Sequence, residues 1–382
     1  MPRSPAVAPR VRTMPDRVYS TLAHRLAARE GETYPLHIGD TWMEPAEGCR
    51  MEDLHVAEYP GMHRYAPVQG RADLLEAIVA WQGARGAGAL EPSQVLLAAG
   101  ATGGLGAVAG ALVAPGEEVM ILAPYWPLIA GIVRTFDGVP VPVSILDVDG
   151  PEALREALDA ARTERTVALY FNTPHNPTGR VLPAAWVEAM AEYARRHDLW
   201  LLADEVYEHY VYEGTHTRAR RLAPERTLSA HSFSKAYGMA GNRCGYMIGP
   251  SEGIRQLTKV STHTFYSTPT ASQIAALRAL KGPGDAWAEA AARQYADLGR
   301  RAAERLGVPA PRGSTFLFLD VAEHLDERGL PGFLERCVDH GLLVAPGPSF
   351  GPFPTSIRVC FTSVEPARVL RGVEVLAGLL GR

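Results

Sequence analysis

From about Gln94 onward the chain alternates short apolar runs with helix-length stretches of mixed polarity. Gln94–Ala99, Glu118–Ala123, Thr166–Phe171 and Leu199–Ala203 are compact runs without in–out alternation. They end at Gly100, at Pro124, at Asn172-Thr173-Pro174 and at Asp204-Glu205. Strands buried on both faces of a parallel sheet read this way, because neither face meets water. Between them, Pro151–Arg162 puts Leu154, Leu158 and Ala161 on one face behind a proline suited to a first turn, and Ala184–Arg196 is similar. Strands alternating with helices predict an α/β domain built on a mainly parallel sheet. Asp285–Leu306 predicts a longer helix, with Trp287, Ala291, Tyr295, Leu298 and Ala302 on one stripe and Gly307 and Pro309 as stops. Strand-like runs at Thr315–Leu319, Leu342–Ala345 and Ile357–Phe361, with helices near Pro331–His340 and Pro366–Leu380, predict a smaller α+β domain connected by that helix. The Ala/Gly/Arg-rich stretch Gly83–Ala89 reads as a loop.

Composition narrows the function classes. With 382 residues the chain is long enough for two domains. Lys and Arg number 38 against 42 Asp and Glu, a net charge of −4, so no basic excess is available to neutralise a nucleic-acid backbone. Cys49, Cys244, Cys337 and Cys360 are far apart in sequence and form no CxxC pair, which argues against zinc and a disulfide framework and favours a reducing cytoplasm. Met1–Arg12 lacks an apolar segment of signal-peptide length. No run of roughly 18 apolar residues exists to predict a membrane span.

In an open α/β sheet, ligands bind beyond the carboxyl ends of the strands, so the residues after each run carry the chemistry. Gly100-Ala101-Thr102-Gly103-Gly104 lets backbone N–H groups approach an anion at a helix start. Gly104–Ala109 also fits a dinucleotide fingerprint, but the second strand ends Ala123-Pro124-Tyr125-Trp126 without the carboxylate that fingerprint needs. Trp126 offers a flat face for stacking, or a core side chain. Asn172–Gly179 holds two X-Pro steps, which favour a rigid extended loop that presents Asn176. Asp204 can pair with a protonated ring nitrogen, and Tyr207 can donate to a phenolate; Asp204 alone reads equally well as a solvated cap. Lys235 follows Ser232 and Ser234 and precedes Arg243 by eight residues. That company suits a Schiff-base amine beside a phosphate site.

The ordered set Tyr65–Gly70, Gly100–Gly103, Tyr125–Pro127, Asn176–Gly179, Asp204–Tyr207, Ser232–Arg243 and Ile357–Val359 resembles the class I/II aminotransferases, pyridoxal-5′-phosphate (PLP) enzymes of fold type I like aspartate aminotransferase, from about Gly39 to Val359. The resemblance implies ping-pong transfer of an amino group from an L-α-amino acid to an α-keto acid, through a Schiff base on Lys235. It implies that Asp204 pairs with the pyridinium nitrogen, that Tyr207 and Asn176 hold the phenolic oxygen, and that Trp126 stacks on the ring. Ala101, Thr102, Ser232, Ser234 and Arg243 would hold the phosphate, joined by Tyr65 from the neighbouring subunit of a homodimer. Arg358 would grip the substrate carboxylate with Asn176 and the backbone at Gly39. The implied layout is an arm over residues 1–14, a small domain over 15–46 and 303–382, and a large PLP-binding domain over 47–302.

Where one branch of the family carries an arginine for dicarboxylates, the related stretch here is His263–Pro269. That disfavours a strict aspartate or glutamate preference in that branch's manner. Trp42, Tyr125 and His263 are expected to line the side-chain pocket, with Trp42 equally readable as small-domain core, and Trp126 is expected at the substrate as well as at the cofactor. A PLP lyase or cyclase on the same scaffold, such as a carbon–sulfur β-lyase or a synthase, is the alternative reading. A non-catalytic PLP-binding module is a more distant one.

Overall fold

The computed structural model describes residues 6–12, 14, 15 and 21–382. Seven strands form one sheet in the order Val95–Ala99, Cys244–Ile248, Thr227–Ser232, Trp200–Asp204, Thr166–Asn172, Glu118–Ala123 and Val139–Ser144. Neighbours run parallel except at Cys244–Ile248, which is antiparallel to both of its partners. The unalternating runs are explained by cover on both faces. Val119, Ile121, Ala168 and Tyr170 pack into one apolar cluster with the helices Gly100–Leu112, Leu128–Thr135 and Ser251–Thr264. Met120, Leu122, Leu169 and Phe171 pack into another with the helices Gly150–Ala161 and Ala184–Arg196. The mainly parallel α/β fold read from the sequence is present.

The differences have physical reasons. Val95–Ala99 is an edge strand held antiparallel, not a member of the parallel run. Val139–Ser144 escapes sequence reading because Pro140 and Pro142 interrupt it; it lies at the opposite edge, where one side of the strand needs no ladder donors. Cys244–Ile248 carries Gly245, a poor strand former. Its absent side chain has a purpose, since a Cβ there would stand 2.7 Å from the His231 carbonyl oxygen and 2.8 Å from the Ala101 nitrogen. The helix Ala72–Ala84 takes up the first residues of the expected Gly83–Ala89 loop.

At the other end, Phe316–Asp320, Ser356–Cys360 and Ala345–Pro346 form an antiparallel sheet. The run at Leu342–Ala345 splits, because Leu342–Leu343 instead pairs in parallel with Tyr34–Pro35. Leu36 is buried in the same cluster as Phe316, Ile357 and Val373, so an early segment shares the C-terminal core. The helix Gly284–Leu306 joins the two regions: Ala288 packs in a large-sheet cluster, while Ala291 to Leu306 pack in the C-terminal one. The expected arm over 1–14, and the start of the expected 15–46 segment, lie partly outside the described residues. Within the described part, Pro9–Arg12 makes one helical turn and Arg10 pairs with Asp137 at 3.0 Å.

Gly179 ties the Asn176 loop to this second region. Its φ is +70°, and a Cβ would come 2.6 Å from the Phe316 carbonyl oxygen and 2.8 Å from Pro311 Cβ. Its carbonyl accepts the N–H groups of Arg312 and Gly313 at 2.8 and 2.9 Å. Gly179→Ala adds left-handed strain to backbone overlap, so a loss of at least about 2 kcal/mol in unfolding free energy is expected from denaturant titration. An unchanged midpoint would show that the loop relaxes freely.

Candidate active site

Parallel pairing sets the carboxyl ends of Thr166–Asn172, Trp200–Asp204 and Thr227–Ser232 side by side, with Asn172 opposite Asp204 and Asp204 opposite Ala230. A cleft of about 770 Å³ opens there. Lys235 and Asp204 both line it, as do Tyr207, Asn176, Trp126 and Arg358. Ala101, Thr102, Ser232, Ser234, Arg243 and the backbone at Gly39 complete the sequence-named residues that reach it.

Lys235 sits in the short helix Phe233–Ala236, three residues beyond its strand. The Ser232 hydroxyl caps that helix, accepting the Ser234 N–H at 3.0 Å. The Lys235 amine donates to the Gly39 carbonyl oxygen and lies 3.8 Å from an Asp40 carboxylate oxygen. Burial holds its pKa below the ordinary lysine value, with Asp40 and Cys360 opposing that shift. Asp204 is 3% exposed. Burial pushes its carboxyl up to about 6, against hydrogen bonds from the Tyr170 hydroxyl at 2.7 Å and the Val206 N–H at 3.3 Å.

Arg358, on the strand Ser356–Cys360, is fully buried. Its guanidinium lies between the rings of Phe316 and Phe350, 4.3 and 4.7 Å from their centroids. It donates to the His37 carbonyl at 2.6 Å and to Asn176 Oδ1 at 3.1 Å. That second bond assigns the oxygen of the Asn176 amide to the arginine and leaves its NH₂ group for other acceptors. Asn172 fixes Asn176 from below, accepting its N–H at 2.6 Å while donating to the Asp204 carbonyl at 2.8 Å. At the cleft's other end, Arg243 has a left-handed backbone (φ 51°), and its guanidinium donates to the Ala99 and Ala240 carbonyls at 3.3 and 2.9 Å. This sets it at the N-terminus of the helix Gly100–Leu112, where backbone N–H groups and the helix dipole both favour an anion.

Four sequence-named residues lie elsewhere. Tyr125 packs in the apolar cluster on one face of the large sheet. Trp42 packs against the C-terminal core, which is the bland reading of it. His263 is exposed on the helix Ser251–Thr264, its ring bonded to the Lys259 carbonyl region at 2.8 Å. Tyr65 is 87% exposed and meets Tyr266 edge-on at 5.2 Å, outside the cleft. Sequence reading passed over Asn172, Leu128, Val206 and Ala240, all of which line the cleft. Asn172 was legible, since it is the first polar residue after the third run.

Behind the cleft, Glu205, Glu208 and His231 converge closely enough for a cation. Arg218 takes that place, pairing with Glu208 and lying 3.6 Å from Glu205, while His231 meets Glu208 at 2.8 Å. Burial would raise the Glu208 carboxyl, but the charges of His231 and Arg218 hold it well below the usual range.

The family model "Aminotransferase class I and II" matches residues 42–376. The aspartate/prephenate aminotransferase of Thermus thermophilus is 33% identical over 339 residues, covering 84% of each chain. The arginine–pyruvate transaminase of Pseudomonas aeruginosa is 33% identical over 302 residues, covering 76% of each. Among solved structures, a single mutant of Thermus thermophilus aspartate aminotransferase is 30% identical with a TM-score of 0.89, covering 98% of this chain and 100% of that one. With most of its length matched by family, relatives and fold alike, this chain belongs to the class I and II aminotransferases, PLP-dependent enzymes of fold type I.

Proposed function

We propose that this aminotransferase carries PLP on Lys235 and exchanges amino groups between an α-amino acid and an α-keto acid in the cleft between Asp204 and Arg358. The observation that carries this reading is that the buried amine and the buried carboxylate line one cleft, with Arg358 and Asn176 joined at its side. The residues present fit the cofactor. Arg243 and the helix start at Gly100 make an anion cradle so close that a Cβ on Gly100 would stand 2.5 Å from the Arg243 guanidinium. Asp204 offers a carboxylate for a ring nitrogen, Tyr207 and the Asn176 NH₂ suit the phenolic oxygen, and Trp126 suits a ring face.

Bound there, PLP supplies the electron sink for the pair left on the substrate α-carbon. The chain's residues do the rest. Arg358 binds the substrate carboxylate with its planar fork, already oriented by Phe316, Phe350 and the His37 carbonyl. Asn176 and the Gly39 backbone complete that grip. Fixing the carboxylate turns the α-C–H bond toward Lys235. The Lys235 amine, its basicity lowered by burial, holds and moves the proton at the α-carbon. The relatives' names include aspartate, prephenate, arginine and pyruvate, so a panel of amino and keto acids of different side chains is the test of preference. Tyr65 and Tyr266 form an exposed aromatic pair suited to a second protomer, and we assign Tyr65 to the partner's phosphate site in a homodimer. Four free, buried cysteines suit a reducing cytoplasm.

Single-turnover spectra with a panel of amino acids test the reading directly. Stoichiometric keto acid and aminated cofactor are expected; pyruvate with ammonia would make the chain a lyase instead. Borohydride reduction should add the cofactor's mass to the native chain at Lys235, and Lys235→Ala should abolish that adduct. Arg358→Lys keeps the charge and loses the fork, so amino-acid binding should weaken roughly 30-fold (about 2 kcal/mol) in half-reaction titrations, with PLP affinity little changed. Gly100→Ala introduces both the overlap with Arg243 and strain at φ +69°. PLP affinity measured by fluorescence titration should fall about tenfold or more (about 1.4 kcal/mol); unchanged affinity would remove this helix start from the phosphate site.

A further inference from the structure

Tyr170 lies outside the cleft lining, yet it touches the carboxylate on which the site is centred. It sits two residues before Asn172, so both side chains leave the same face of the sheet. Tyr170 is opposite Leu202 and Asn172 is opposite Asp204 on the neighbouring strand. The diagonal from Tyr170 to Asp204 is therefore the reach of a long side chain, and its hydroxyl donates to Asp204 Oδ2 at 2.7 Å. Tyr170 is fully buried and Asp204 is 3% exposed, so water does not compete for that oxygen.

We propose that Tyr170 is a positioning residue that keeps Asp204 ionised and aimed at the cofactor's ring nitrogen; the inference rests on the role assigned to Asp204 above. A buried carboxylate can satisfy its ring partner only while it is an acceptor. Burial favours the neutral acid, which would present a proton to the nitrogen instead. Three neighbours act on this balance besides the Val206 N–H. Tyr170 and His231, on the two flanking strands, favour the ionised form, and Glu205 opposes it. Among the favourable effects the Tyr170 hydrogen bond is the largest. Tyr170 always has a proton to donate, because burial and the Asp204 charge push its own ionisation well above the ordinary phenol range. The same bond fixes the carboxylate's rotation, holding Oδ2 against the sheet while Oδ1 is held more loosely by the Val206 N–H at 3.3 Å.

The test separates this role from mere core filling by changing the ring atom that Asp204 serves. The full chain is stripped of cofactor and titrated with PLP, and with an analogue in which the ring nitrogen is replaced by C–H. Tyr170→Phe should weaken PLP binding roughly tenfold, as expected for one hydrogen bond to a buried charge, and leave the analogue's affinity within about twofold. Carbon-13 titration of the Asp204 carboxyl in the cofactor-free chain should move up by about one pH unit in the same variant. Replacing Tyr170 by 4-aminophenylalanine, which keeps a donor at the same reach, should retain the native ratio of the two affinities. Equal losses for both ligands, or a lost ratio with the amino variant, would overturn the proposal. Asp204→Asn tells the two failures apart. If it leaves the ratio of PLP to analogue affinity unchanged, the role of Asp204 itself is wrong. If it changes the ratio where Tyr170→Phe does not, only the tyrosine is misassigned.

Discussion

The parallel pairing of Trp200–Asp204 with its two neighbours is the constraint from which the rest of the site follows. Parallel strands end at the same edge, so polar residues placed just after each run are brought together without any contact being specified in advance. Asn172, Asp204 and Lys235 come from three successive runs and meet because of that geometry alone. The antiparallel strand Cys244–Ile248 adds the missing component from the opposite direction. It begins beside the helix Gly100–Leu112, and Arg243 immediately before it is delivered to the helix start.

The cost of such a site is buried charge, and the surroundings are built to neutralise it. Asp204 has Tyr170 and a backbone N–H, Lys235 has Asp40 nearby and the Gly39 carbonyl, and Arg358 lies between two aromatic faces. The deeper group sets the carboxylates of Glu205 and Glu208 against the Arg218 guanidinium and the rings of His216 and His231. Breaking any one partnership would leave a charge in a medium that solvates it poorly. This explains why conspicuously polar side chains recur beneath a sheet whose remaining contacts are apolar.

Most of the parallel sheet was legible because burial on both faces writes itself as short apolar runs, and the helices because their stripes repeat. The cleft residues were legible for other reasons: Asn176, Asp204 and Lys235 each follow an expected strand end, whereas Arg358 was named only by the family resemblance. What escaped was set by neighbours rather than by local pattern. Val139–Ser144 is a strand only because an edge tolerates its prolines. Leu342–Ala345 divides because two different partners claim its halves. Trp42 read equally as a recognition residue or as core, and its ring packs against the C-terminal core. Tyr170 reads as one more apolar-run residue, and nothing in its own strand reveals that its hydroxyl has a partner two positions along the next one.

Arg358 has one more consequence. Through the His37 carbonyl and Asn176 it joins three separate stretches of chain: the segment around residue 37, the loop after the third run, and a C-terminal strand. The side chain suited to gripping a substrate's carboxylate is thus also a rivet of the scaffold. Losing Arg358 would therefore cost scaffold contacts as well as the grip proposed for it. Under that role the carboxylate end of the substrate stays fixed, and variety is left to whatever lies beyond the α-carbon.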